Sequence, residues 1–121
     1  MKYLRIYADA DGESHFEEVN TTYTPIEPDS SEPSLEVAAP IEATRCVMAK
    51  CPKGWTTGFH PAPRRQLCSI LNGELECIAS DGTTERLKSG DTLLLEDTVG
   101  KGHQSKVIGD NDAVAIFIHL E

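Results

Sequence analysis

Apolar residues along the chain come in short bursts at alternate positions, and each burst ends at a turn signal. Tyr3-Leu4-Arg5-Ile6-Tyr7 reads as a strand, Asp9-Ala10-Asp11-Gly12 as a turn, and Ser14 to Val19 as a second extended piece. From residue 43 the pattern becomes strands punctuated about every eight to twelve residues, the signature of a sandwich or barrel. Arg45 to Ala49 leads to Pro52-Lys53-Gly54, Leu67 to Leu71 to Asn72-Gly73, and Leu75 to Ala79 to Ser80-Asp81-Gly82. Thr84 to Leu87 runs into Ser89-Gly90-Asp91, Thr92 to Leu95 forms another strand, and Ala113 to Leu120 is the last. Helical periodicity is nowhere sustained and there is no internal repeat, so the expected class is all-β.

Two segments depart from this rhythm. Thr24 to Pro40 holds four of the seven prolines, interleaved with Ser and Glu, a composition that favours an extended arm over a helix. We expect residues 1–42 to form N-terminal strands and a Pro-rich arm that packs on the barrel or on a partner subunit, with the barrel itself over 43–121. In the last strand Val114, Ile116, Ile118 and Leu120 share one face, and Ala113, Ala115, Phe117 and His119 the other. Apolar side chains of both parities ask for cover on both sides, a second sheet on one and either the N-terminal segment or another subunit on the other, and a homodimer is expected.

Composition narrows the partners. Twenty acidic against eleven basic residues give a net charge of −9, which repels a phosphate backbone, so nucleic acid is not an expected partner. The longest apolar stretch, Ala113 to Ile118, is too short to cross a bilayer, and Met1-Lys2-Tyr3-Leu4-Arg5 lacks the apolar run of a signal peptide. A cytoplasmic protein with no membrane partner is expected. Cys46, Cys51, Cys68 and Cys77 form no Cys-x-x-Cys pair; buried free thiols are the main reading and a zinc site the minor one.

The middle of the chain resembles the first cupin motif, in which Gly, His, His, Glu and Gly recur at fixed spacing. Gly54, His60, Ala62, Gln66 and Gly73 stand at those positions, with Ala62 in place of the second His and Gln66 in place of the Glu. The second cupin motif is approximated by Gly90-Asp91 through Gly102-His103, with Glu96 where the motif has Pro and His103 two residues late. The likeness covers residues 54–105 and is closest to small single-domain cupins of unassigned biochemistry. It implies a double-stranded β-helix, or jelly-roll, with His60 and His103 brought together in the barrel.

Strand parity puts His60, Ala62, Gln66, Cys68 and Ile70 on one face, which the resemblance makes the barrel interior. His60, Gln66 and His103 are then the candidate ligands of a divalent metal such as Fe, Mn, Ni or Zn. A neutral Gln in place of a carboxylate implies weak binding. Glu96 or Asp97 would supply the missing carboxylate if turned inward, but strand-end carboxylates near Lys101 are expected in solvent. Arg64, Gln66 and Cys68 are the candidate ligand-binding residues. Arg64 has the better parity for facing inward and would pair with a carboxylate; surface salt bridges are the plain alternative for Arg64 and Arg65. Cys68 has nothing nearby to activate it as a nucleophile.

His15 is expected at the surface or a subunit contact, His119 as a hydrogen-bonded core histidine, and Trp55 at the barrel rim. Gly73 and Gly82 are expected at hairpin positions with positive φ. Two functions stay open: a pocket that binds a small polar molecule, and a metal-dependent dioxygenase, isomerase or lyase acting on a small carboxylated substrate. Fold does not decide between them.

Overall fold

A computed structural model describes residues 1–26 and 33–121. Its strands follow the alternation: β1 Lys2–Ala8, β2 Ser14–Asn20, β3 Thr24–Ile26, β4 Leu35–Val37, β5 Arg45–Cys51 and β6 Gln66–Asn72. Beyond these lie β7 Glu74–Ala79, β8 Thr84–Lys88, β9 Thr92–Glu96, β10 His103–Val107 and β11 Ala113–His119. Among the described residues there is no helix, and hence none long and apolar enough to cross a membrane.

Two sheets enclose the core. The larger has the order β2-β1-β9-β6-β11-β5, the smaller β10-β7-β8. Most neighbours are antiparallel; β1 and β9 pair in parallel, with Leu4 opposite Leu93 and Ile6 opposite Leu95. The period of two shows directly in burial: Gln66, Cys68 and Ile70 of β6, Leu75, Cys77 and Ala79 of β7, and Leu93 and Leu95 of β9 all point between the sheets. Burying a Leu or Ile side chain contributes roughly 1.5–3 kcal/mol, so this inward set is what holds the two sheets together. Gly73 joins β6 to β7 at φ 77°, and a Cβ there would strike the Asp112 carbonyl; only glycine suits both conditions.

The segment Trp55 to His60 runs antiparallel along β10, with isolated bridges Thr56–Lys106 and His60–His103. Trp55 O accepts from Val107 N at 2.8 Å, and Thr57 N donates to Ser105 O at 2.9 Å. The loop carrying His60 is thereby stitched to the strand carrying His103.

Two expectations are corrected here, for residues 24–40 and for Cys46. Thr24 to Pro40 is not wholly arm, because β3 and β4 pair as an exposed hairpin, Thr24 opposite Val37; residues 27–32 of that stretch lie outside the described ones. The inward face of β11 is the one bearing Ala113, Ala115 and Phe117, while Val114, Ile116 and Ile118 lie outward and half-buried. Cys46 is exposed, since it sits on the outer face of the edge strand β5, whereas the other three free thiols are buried.

Candidate functional site

A cavity of about 110 Å³ opens between the sheets, lined by His60, Gln66, Cys68, His103 and Ser105 together with Cys51, Cys77, four leucines and Phe117. Trp55 and Pro63 also line it. The sequence thus brings four of its five candidate site residues, His60, Gln66, Cys68 and His103, to one place. Arg64 is the exception: it is exposed and does not line the cavity. Its parity argument presumed extended backbone, but residues 63–65 form a bend before β6 begins at Gln66, and the bend turns the guanidinium outward. Arg65 is committed to an ion pair, its Nε 2.5 Å from Glu96 Oε2.

The two histidines are held from both ends. Their backbones exchange a pair of hydrogen bonds, His60 N to His103 O and His103 N to His60 O, each 3.0 Å. The ring centroids are 5.0 Å apart and the planes tilted by 49°. Gly102, at φ 72°, lies flat against the His60 carbonyl where a Cβ would overlap it, so its lack of a side chain is what permits the close approach. His60 Nδ1 donates to Gly58 O at 3.0 Å. His103 Nδ1 donates to Asp97 Oδ2 at 2.5 Å. With each Nδ1–H engaged, Nε2 is the ring nitrogen left for a ligand.

Asp97 corrects the expectation of a solvated carboxylate: it is 0% exposed, and its Oδ1 has no hydrogen-bond partner. Backbone pairing draws it in, since Asp97 O accepts from Ala62 N at 2.9 Å. The signal was present in the alternation, because Leu93, Leu95 and Asp97 share a parity. Glu96, of opposite parity, faces outward between Arg5 and Arg65. Burial pushes its carboxyl up, but the hydrogen bonds from Arg65 and Arg5 outweigh that and hold it below the usual carboxylate value.

Burial raises all three cavity thiols, Cys68 and Cys77 to about 12, and Cys51 by the same cause. They line the cavity as neutral, polarisable walls and not as thiolates.

His119 departs from its expectation of a hydrogen-bonded core histidine, for its Nδ1 is buried without a partner. Burial, then the charges of Arg64 and Arg45, lower its pKa. His15, as expected, is at the surface, where Nε2 lies 2.7 Å from Asp9 Oδ2 and Nδ1 lies 2.8 Å from Asp81 Oδ2.

Two imidazoles whose Nδ1–H groups are pinned by outer partners are oriented as metal-ligating histidines are, but the rest of a ligand set is missing. Among the described residues no group of three or more His, Cys, Asp or Glu side chains is placed to hold a metal ion. Gln66 brings no charge, Asp97 is spent on His103, and the thiols hold their protons. The residues present do not fit a resident divalent cofactor.

No protein-family model and no curated protein matches the sequence. Solved structures do. A cupin domain from Bordetella pertussis is 17% identical over 85% of this chain and 97% of its own, with a TM-score of 0.51. The Cnp3 cupin domain of Schizosaccharomyces pombe is 16% identical over 89% of this chain and 73% of its own, at 0.49. A conserved protein of unknown function from Streptococcus pyogenes is 17% identical over 69% and 70%, at 0.48. Such identities speak for architecture and leave function to the site. With two sheets wrapped around a cavity that His60 and His103 enter from facing segments, and a solved cupin domain matching over nearly its whole length, the chain has the cupin fold.

Proposed function

We propose that this protein is a small-molecule-binding cupin whose ligand occupies the cavity between the sheets, its polar end against His60, Gln66 and His103. The observation that carries this reading is the division of the cavity wall: apolar side chains and neutral thiols around the body, and the histidine and glutamine groups together, with His103 fixed by a buried carboxylate. Enclosed apolar cavities with a few convergent polar groups are the usual form of ligand sites. Trp55 is the only tryptophan in the chain and lines the cavity, so its fluorescence reports occupancy. A panel of small ligands is expected to change that fluorescence and raise the melting temperature, and His60→Ala and His103→Ala to abolish both responses. A panel that leaves both unchanged would overturn the reading.

A divalent metal supplied in excess would have only His60, His103 and the neutral Gln66 to hold it in the same place. Metal analysis of untagged protein is expected to give well under one equivalent of iron, manganese, nickel or zinc, rising only with excess metal and lost in both histidine variants.

The Asp97–His103 pair favours a second reading, an isomerase or lyase, because a carboxylate-oriented histidine with a free Nε2 is suited to move a proton. Conversion of a bound ligand over time separates enzyme from binder.

The outer face of the larger sheet supports a homodimer. Ile116 lies between Met48 of β5 and Ser69 of β6, and Met48 and Leu71 are 81% and 52% exposed. Ile116→Lys is expected to shift the protein to monomer in sedimentation velocity. Free thiols at all four cysteines support a reducing, cytoplasmic setting.

A further inference from the structure

Resting on the cavity reading above, we propose that the ligand is a small uncharged alcohol or phenol, one apolar ring or short chain carrying a hydrogen-bond-donating hydroxyl, and not a carboxylate. The polar end of the cavity has few groups left to offer a ligand. Gly58 O can only accept, so the 3.0 Å contact fixes the proton of His60 on Nδ1. Asp97 Oδ2 accepts the corresponding proton from His103. Nε2 is therefore the nitrogen each ring has left for a ligand, and in a neutral imidazole it is an acceptor. The backbone N–H groups of the same two residues are used up on each other's carbonyls, which leaves none to cradle an anion.

Charge points the same way. No Lys or Arg lines the cavity; Arg65 is paired with Glu96 and Lys101 with Glu13. A carboxylate entering here would lose its water with no Lys or Arg to replace it. A hydroxyl has no such difficulty, since it donates to an Nε2 and accepts from the Gln66 amide. Size fixes the remainder. An apolar cavity of roughly 150 Å³ takes one benzene; this one, at about 110 Å³ but only partly enclosed, limits the body to one small ring or a short chain that reaches into the opening. Leu75, Leu93, Phe117 and the neutral thiols supply apolar and sulfur–aromatic contact to such a body.

The test is calorimetric titration of the wild-type protein with phenol, benzene and benzoate at neutral pH, paralleled by Trp55 fluorescence. Phenol is expected to bind about tenfold more tightly than benzene, the weight of one net hydrogen bond. Benzoate is expected to bind about a hundredfold more weakly than phenol, from the desolvation of its charge. In His60→Phe, whose substituted side chain is exposed at the cavity mouth, the margin of phenol over benzene should shrink while benzene still binds. Benzoate binding as well as phenol, or phenol no better than benzene, overturns the assignment of the head group and leaves the cavity reading intact. Failure of all three to bind overturns the cavity reading and this inference together.

Discussion

The molecule contains two histidine–carboxylate arrangements, and they are built in opposite ways. His15 lies at the surface with a carboxylate on each ring nitrogen, Asp9 on one side and Asp81 on the other. Because carboxylates only accept, both nitrogens must carry protons, so the arrangement is a charged clasp between the β1–β2 turn and the β7–β8 turn. His103 is buried with one carboxylate on one nitrogen. The first arrangement consumes the imidazole and leaves nothing for chemistry; the second fixes the ring and spares its Nε2. One-sided pairing in a cavity, not pairing as such, is what makes His103 the candidate for function.

The largest test of that contrast is Asp97→Ala. It strands a buried His103 Nδ1–H and is expected to cost about 3 kcal/mol in denaturant unfolding, with loss of phenol binding in the same protein. Asp97→Asn, which can still present an oxygen to Nδ1–H, should recover most of the stability. If Asp97→Ala unfolds no more easily than wild type, the buried pair is not what orients His103.

The surface clasp responds to pH instead. Hydrogen bonds to Asp9 and then Asp81 raise the His15 pKa above its ordinary 6.5. A raised histidine contributes fully below its unfolded value and loses its contribution as pH climbs through the folded one. For Asp9, the hydrogen bond to His15 is the largest cause of a value held below 3.8. Asp81 is pushed up by burial, but hydrogen bonds from Thr83 and His15 outweigh this and leave it also below 3.8. Their share is present above that value and fades as pH falls through the lowered one. The melting-temperature difference between wild type and His15→Asn should therefore be greatest in mildly acidic solution and vanish well above pH 6.5. A difference that grows with pH would show the clasp to be misassigned.

Arg64→Ala stands at the small end. An exposed side chain away from the cavity should change stability by less than about 0.5 kcal/mol and leave ligand affinity unaltered; a fall in affinity would return Arg64 to the site.

The uneven legibility of these residues in the sequence has a physical source. Alternation located β1, β2, β5 to β9 and β11 because each carries apolar side chains to one buried face. It missed β10, where His103, Gln104, Ser105 and Lys106 give no apolar rhythm; that strand forms because β7 and the Trp55–His60 segment offer it hydrogen bonds on both edges. Parity was applied to Arg64, where the backbone bends, and not to Asp97, where it continues past the end of β9. Motif spacing brought His60, Gln66 and His103 to one cavity, but the identity of the group behind His103 depended on a pairing, Ala62 with Asp97, that no local pattern encodes. The outward placement of Cys46 followed from β5 being an edge, a property of the whole sheet.

The parallel pairing of β1 with β9 bears on how the protein is made. The β1–β2 hairpin is complete once residue 20 has left the ribosome, but its place in the large sheet is beside Leu93 to Glu96. Until that later segment emerges, Leu4 and Ile6 are paired with β2 on one edge only, and such long-range closure is slow compared with hairpin formation. While the residues between β2 and β9 are being made, the nascent chain therefore carries a hairpin with one apolar strand edge open, the interval in which chaperones act on incomplete β-structure.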